Sequence, residues 1–436
     1  MEAKGGLTEP FFRVMGNALF SQIEIHKKYG GVFPSLAKRE HGKNLVPLLV
    51  DALSQAGEYF APEKNIGKSK SEGSPQILIP EGSPRIIEKW QKIEKILDRE
   101  NDLAAELKKF FAGAKKPDVD FIAVTSGPGL EPALWVGISF AEALGLLWDI
   151  PVLPVNHMEG HMTSILLNKI DAVEGCKVIK LSSKKQEEKT ETEKSNTETK
   201  TKNEKQIQFP AVALLISGGH TELVEISDWG QYKIIGETRD DAVGEAFDKV
   251  ARMLGLSYPG GPEISRLAEM ARAENLPKGD EPVGTEPAGV VPKKCKLPRP
   301  MMHSGDLNFS FSGLKTAVLY WIRDHGEISE NDKCDIAREF EDAVVEVLLG
   351  KTETAIEQVG AKTLIIGGGV ISNKKLREEF EGLAEKYSDL VVRVPMREMT
   401  TDNSLMIAVA SFVDVTKNPQ LLQTEHIIIA NGNLRL

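Results

Sequence analysis

His157 and His161 stand four residues apart in the stretch Asn156-His157-Met158-Glu159-Gly160-His161. On a helix that spacing puts both imidazoles on one face, where they can grip a single transition-metal ion. Asn156 is a good helix N-cap, and Glu159 sits where a capping-box acid reaches back. Two imidazoles leave coordination positions open, so a ligand role requires a third donor from elsewhere in the chain. The competing reading is a pair of surface or capping histidines.

Glycine-rich turns after apolar runs supply a second kind of chemistry. Ala211 to Ile216 runs into Ser217-Gly218-Gly219-His220-Thr221, and Leu364 to Ile366 runs into Gly367-Gly368-Gly369-Val370. Glycines let backbone amides approach a phosphate closely, and Ser217, His220 and Thr221 add side-chain donors. Neither is a Walker A loop, which needs Gly-Lys-Ser/Thr. Ser126-Gly127-Pro128-Gly129-Leu130 reads equally as a phosphate cradle or a tight strand-to-helix turn. Asp248 follows on an amphipathic helix of Val243, Phe247, Val250 and Leu254, where it could hold a ribose hydroxyl or be solvated. Asp402 precedes another apolar helix and reads, on spacing alone, as its N-cap.

The elements that must position these groups alternate between buried strands and helices, the α/β signature. Residues 14–20 read as a strand, Pro34 and Pro47 as the starts of two helices with His41 between them, and 86–113 as one amphipathic helical stretch. Phe121 to Thr125 and Val152 to Val155 are short buried strands. Leu223 to Ile226 and Tyr232 to Ile235 are antiparallel strands, and Asp240-Asp241 caps the helix that follows. Residues 61–85 and 276–300 are Pro- and Gly-rich loops, and 183–206 is a Lys- and Glu-rich disordered insertion.

The chain has 436 residues, 41% of them hydrophobic and 27% charged. The net charge is −10 and the pI about 5.5, which argues against an autonomous nucleic-acid-coating protein but not against a local basic face. Cys176, Cys295 and Cys334 lack metal or redox spacing, as in a reduced intracellular protein. No apolar run is long enough to span a membrane, and Met1 to Arg13 lacks the layout of a secretory signal.

Seven motifs occur in one order: His157 to His161, Ser217 to Thr221, Gly244-Glu245-Ala246-Phe247-Asp248-Lys249, Tyr258-Pro259-Gly260-Gly261-Pro262, Phe309-Ser310-Phe311-Ser312-Gly313-Leu314-Lys315, Gly367 to Val370, and Thr401-Asp402-Asn403. Together they closely resemble the tRNA N6-adenosine threonylcarbamoyltransferase family, in its bacterial or organellar form. The resemblance implies an actin/Hsp70-like two-lobed nucleotide-binding fold: an N-terminal lobe over 1–150, a second lobe over 151–400, and a C-terminal segment 401–436 returning to the first. It implies one divalent metal held by His157, His161 and Asp402, with Fe2+ the first expectation and Zn2+ the alternative. It implies that Leu215, Ile216, Ser217, Gly218, Gly219, Asp248, Gly261 and Asn373 line the substrate site.

The implied reaction moves a threonylcarbamoyl group from threonylcarbamoyl-adenylate to N6 of the adenosine beside the anticodon in tRNAs reading codons that begin with A. AMP is already a good leaving group, so no protein nucleophile is needed, in keeping with the lack of a serine or cysteine nucleophile motif. Implied partners are the tRNA, a paralogous dimer partner and a small ATPase, in the cytoplasm. One departure stands out. The family begins with a strand carrying Glu-Thr-Ser-Cys-Asp-Asp-Thr, and Met1 to Arg13 holds nothing like it, so the first hairpin is expected to be missing. Three rival readings are a metalloprotease (the family was once described as O-sialoglycoprotein endopeptidases), a non-catalytic actin-like scaffold, and a sugar or acetate kinase. Zincins need Glu directly after the first His, where this chain has Met158.

Overall fold

A computed structural model describes residues 1–58, 84–111, 116–168, 170–172, 206–274 and 295–436. Expectations for 61–85, 183–206 and 276–300, and for Cys176, fall almost wholly outside these residues.

The N-terminal region begins with strands β1 (Glu2–Lys4) and β2 (Phe11–Val14), followed by helices α1 (Ile23–Lys27), α2 (Pro34–Gln55), α3 (Pro84–Ile96) and α4 (Asn101–Phe111). Strand β3 (Ile122–Gly127), helix α5 (Glu131–Trp148), strand β4 (Val152–Asn156), helix α6 (His157–Thr163) and strand β5 (Ile170–Ala172) complete it. Residues 1–13 therefore do form a hairpin, β1 antiparallel to β2, although the family's first motif is not in it. The strand expected over 14–20 ends at Val14. Pro47 does not start a helix but lies inside α2, which packs on α4 and α5. Proline in a helix interior costs about 3 kcal/mol; the apolar face of Val46, Leu45 and Leu49 buried in this cluster offsets it. The amphipathic stretch 86–113 is two helices broken at 97–100.

The second region holds strands β6 (Ala211–Ile216), β7 (Thr221–Asp228) and β8 (Gln231–Glu237), then helices α7 (Val243–Met253), α8 (Gly260–Glu274), α9 (Ser312–His325) and α10 (Glu330–Val359). Strand β9 (Thr363–Gly367), helix α11 (Lys374–Lys386), strand β10 (Val391–Arg393) and helix α12 (Ser404–Lys417) follow. One five-stranded sheet runs β10-β9-β6-β7-β8. Strand β6 pairs antiparallel with β7 and parallel with β9. Every residue of β6 is buried because both faces are covered. Val212, Leu214 and Ile216 pack toward α7 to α11, whereas Ala211, Ala213 and Leu215 pack toward α6 and α12. The period of two in a wholly apolar strand thus serves two cores at once.

The boundary expected at residue 150 runs between two paired strands, since β4 lies parallel to β3. Helix α12 packs on α6, β4 and β3, which brings residue 402 back to residue 157. Asp240 and Asp241 do not cap α7, whose N-cap is Ala242. Asp240 instead accepts hydrogen bonds from Phe311 N and Ser312 N at the start of α9, and Asp241 pairs with Lys249 and Lys315.

Candidate metal and nucleotide site

Asn156 caps α6, its Oδ1 accepting from Met158 N at 2.9 Å. His157 and His161 then project from one face, their rings 4.7 Å apart and nearly perpendicular. Glu159 does not complete a capping box. Its carboxylate is buried and accepts from Tyr232 Oη at 2.7 Å, and burial followed by the charge of Asp414 pushes its pKa up.

The third group arrives at the head of α12. Asn403 is the N-cap there, with Oδ1 accepting from Met406 N at 2.9 Å. Asp402, one residue earlier, is thereby left free of the capping role that spacing alone gave it. Its Oδ1 lies 3.2 Å from His157 Nε2 and 3.3 Å from His161 Nε2. Gly160 makes this approach possible: a Cβ there would stand 3.1 Å from Ile407 Cδ1 and 3.2 Å from Met406 Cγ.

These three groups suit a cation. His161 is fully buried, and neither of its ring nitrogens has a hydrogen-bond partner, although Asp402 faces Nε2. A buried polar atom without a partner costs about 1–3 kcal/mol, which a cation at Nε2 would relieve. Burial is the largest influence on His161 and lowers its pKa, keeping the ring neutral and able to donate a lone pair. Crowding would raise the pKa of Asp402, but its contacts with His157 and His161 outweigh this and hold the carboxyl far below the usual range. Among the described residues this is the one group of His, Cys, Asp or Glu side chains close enough to share an ion.

A cavity of about 440 Å³ opens beside the end of the sheet. Gly218, Asp248, Gly261 and Asn373 line it, with Tyr258, Ser265 and Val370. Gly218 is held there by a tight turn in which Ser217 Oγ accepts from His220 N at 3.1 Å. A Cβ on Gly244 would lie 2.6 Å from Ser217 O, so α7 starts directly against this turn. His220 ties the cavity to the metal pair: burial first, then the charges of His157 and His161, lower its pKa.

Four of the eight expected substrate residues therefore line the cavity. Leu215 and Ile216 are fully buried in β6, one on each side of the sheet, and their side chains do not reach it. Ser217 and Gly219 shape the turn rather than the wall. Thr221 is consumed as well, its Oγ1 accepting from Val243 N at 2.9 Å. The Gly127–Gly129 turn is not open to a phosphate: Gly129 N donates to Gly432 O, and a Cβ on Gly127 would meet Asn431 O at 2.0 Å.

Asp248 and Asn373 differ in what they offer. Asp248 accepts from Gly260 N at 2.7 Å through one oxygen, capping α8 and leaving the other toward the cavity; burial raises its pKa. Asn373 is more heavily engaged. Its Oδ1 caps α11 through Leu376 N at 2.9 Å, and its Nδ2 donates to Ser265 Oγ at 2.7 Å and Glu341 Oε1 at 2.6 Å. Glu341 was not foreseen from the sequence. It is 1% exposed, and its Oε2 takes Arg272 Nη1 at 2.5 Å. Its signal was present: Ala337, Glu341, Val344 and Leu348 share one helical stripe, so a carboxylate sits among apolar residues facing the core.

Comparison with known proteins gives a consistent family. The model for tRNA N6-adenosine threonylcarbamoyltransferase matches residues 13–66, 101–175 and 195–409. A tRNA N6-adenosine threonylcarbamoyltransferase of Paraburkholderia xenovorans (strain LB400) is 38% identical over 408 residues, covering 93% of this chain and 87% of that one. That of Herminiimonas arsenicoxydans is 37% identical over 414 residues, covering 95% and 89%. Among solved structures, full-length HypF in its phosphate- and nucleotide-bound form is similar at 12% identity and a TM-score of 0.42, over 73% of this chain and 42% of that one.

Proposed function

Because the chain belongs to the tRNA N6-adenosine threonylcarbamoyltransferase family, we propose that the cavity and the His157–His161–Asp402 cluster are two ends of one acyl-transfer site. The chain is an acyltransferase that modifies tRNA. The donor is threonylcarbamoyl-adenylate, whose AMP portion suits the cavity, and the acceptor is N6 of the adenosine beside the anticodon. The N6 lone pair attacks the carbamoyl carbon, the carbon–oxygen bond to phosphate breaks, AMP leaves with that electron pair, and N6 gives up a proton.

This chain's own residues bind and orient. The free oxygen of Asp248 accepts a ribose hydroxyl, and Gly261, which has open space at its Cα, lets the nucleoside lie against α8. Backbone amides of the Ser217–Gly219 turn face the phosphate and counter the charge that grows on it as AMP departs. Holding donor and acceptor in one geometry supplies much of the acceleration, since a mixed anhydride needs little activation. An ion held by His157, His161 and Asp402, with Fe2+ before Zn2+, supplies Lewis acidity toward the threonylcarbamoyl oxygens.

The strand order of the large sheet, an antiparallel hairpin followed by two parallel strands reached through helices, supports an actin/Hsp70-like lobe. The pathway implied by family membership adds a paralogous dimer partner and a small ATPase, and the tRNA substrate suggests the cytoplasm. No described helix is long and apolar enough to cross a membrane. A metalloprotease reading finds no base, because Met158 follows His157 and the Glu159 carboxylate is taken by Tyr232.

The observation that carries the proposal is the convergence of His157, His161 and Asp402 on one point. The test is metal content together with transfer of labelled threonine from supplied threonylcarbamoyl-adenylate to tRNA. His157→Ala should lose at least tenfold in metal affinity and nearly all transfer, as chelation should in the unaltered chain. His157→Ala that keeps both its metal and full transfer would overturn the proposal.

A further inference from the structure

The segment between β2 and α2 has a backbone held by hydrogen bonds and a surface of exposed apolar side chains. Phe33 N donates to His26 Nδ1 at 3.3 Å, which leaves the ring proton on Nε2 to donate to Gln22 Oε1 at 3.1 Å. Gln22 Nε2 in turn donates to His41 Nδ1 on α2 at 3.0 Å. His26 is only 4% exposed, so this relay is anchored in the protein. Yet Leu19, Phe20, Ile23, Tyr29, Val32 and Phe33 all face solvent, Tyr29 at 63% and Phe33 at 52%. A loop free to collapse would bury them; contiguous exposed apolar surface marks a contact site.

The segment also lies along the mouth of the site. Arg252, one turn beyond Asp248 on α7, donates to Gly30 O at 2.6 Å. At the other end, residues 17–22 and His41 share a hollow of about 250 Å³ with Thr401 and Asn403, the two neighbours of Asp402. Tyr29 and Phe33 stack on each other with centroids 5.9 Å apart and planes at 24°.

Charge selects the occupant. The chain carries a net −10, yet Lys27, Lys28, Arg39 and Lys43 are exposed around this segment. The acids among them are Glu24 and the buried Glu40. A basic face next to stacked aromatic rings on an acidic protein is the chemistry that holds single-stranded RNA: cations take the phosphates and rings take the bases. RNA loops and ends present unstacked bases for such contacts.

We propose that this segment docks the loop of the RNA acceptor, with the Tyr29–Phe33 pair stacking a nucleobase while Lys27 and Lys28 take its phosphates. The proposal rests on the transfer reaction described above and names the surface that would deliver its acceptor. The test uses the full chain and an anticodon stem-loop RNA with 2-aminopurine at the acceptor adenosine, read by fluorescence, alongside tRNA transfer kinetics. The unaltered chain should change the fluorescence. The double variant Tyr29→Ala/Phe33→Ala should bind roughly tenfold or more weakly and raise KM for tRNA, whereas Tyr29→Phe/Phe33→Trp should bind as the parent does. Lys27→Gln/Lys28→Gln should flatten the slope of log Kd against log salt by about one.

An alanine pair that leaves affinity and KM unchanged overturns the docking surface while the transfer reaction stands. The same result with altered sedimentation of the assembly assigns the face to a protein contact and overturns it equally. An unaltered chain that fails to transfer to any tRNA removes the reaction itself, and the docking surface with it.

Discussion

Glu341→Ala should unfold the floor of the nucleotide cavity before it touches the metal. In the parent, Glu341 takes Arg272 Nη1 at 2.5 Å, Ser265 Oγ at 2.8 Å and Asn373 Nδ2 at 2.6 Å, all on a carboxylate that is 1% exposed. Removing one partner of a buried ion pair costs about 3–5 kcal/mol. Orphaning two neutral donors adds roughly 1 kcal/mol or more each. Arg272 keeps Asp342 at 2.5 Å and is partly exposed, so the sum falls back to about 3–5 kcal/mol. At roughly 2–4 °C per kcal/mol for a domain of this size, the melting temperature should fall by about 6–20 °C. Glu341→Gln keeps Oε1 for Ser265 and Asn373 and loses only charge toward Arg272, so it should cost about 1–3 kcal/mol. Calorimetric melts and titration with a non-reactive adenylate analogue separate the two effects. Glu341→Ala should bind the analogue at least tenfold more weakly and Glu341→Gln within about threefold, the two together fixing the role as positioning. Should Glu341→Ala melt within 2 °C of the parent, the inferred network does not carry the floor.

Two further outcomes follow from local geometry. Gly244→Ala puts a Cβ 2.6 Å from Ser217 O and 2.8 Å from Gly218 Cα, both backbone atoms; analogue binding should fall by about tenfold with the helix content of the circular dichroism spectrum unchanged, and unchanged affinity would show that the turn is not in contact with the ligand. Cys295 has its thiol pushed up to about 12 by burial first and by Glu339 and Asp335 next. At pH 8 its thiolate fraction, and so its alkylation rate read on its peptide by mass spectrometry, should be about a thousandfold below that of the same residue in urea. The folded pKa lies above the unfolded one, so the stability this thiol lends is complete below pH 9 and is lost between pH 9 and 12. Equal native and unfolded rates would refute the burial.

What a sequence could and could not give is clearest at the acids and amides that precede apolar runs. Asn156, Asp240, Asp241, Asn373, Asp402 and Asn403 all carry the same local signal, a short polar side chain ahead of a helix. Three of them do cap the helix they precede: Asn156, Asn373 and Asn403. Asp240 and Asp241 are drawn instead to the start of α9 and to two lysines, partners that lie about seventy residues away along the chain. The His157–His161 spacing could be read because one helix turn encodes it. Asp402 could not, because its meeting with them depends on α12 packing across α6, and only the ordered motifs of the family pointed to it. The break after residue 96 and the continuation of α2 through Pro47 were invisible for the same reason, since tertiary packing overrides local propensity.

The capping pattern also explains how the site is built with ordinary parts. Each ligand-bearing helix is started by an asparagine, which satisfies the backbone donors at that end and leaves its neighbour unspent: His157 just after Asn156, Asp402 just before Asn403. Were Asp402 itself the cap, its oxygen would face Ser404 to Met406 rather than the two rings, and the unpartnered nitrogens of buried His161 would have no anion beside them. Gly160 then sets the distance, because any larger residue would push α12 outward from Met406 and Ile407 and carry Asp402 with it. The cluster is therefore fixed by two caps and one glycine, none of which would touch an ion. Their loss should act on metal affinity only through the separation of His157 and Asp402, not through the chemistry of either.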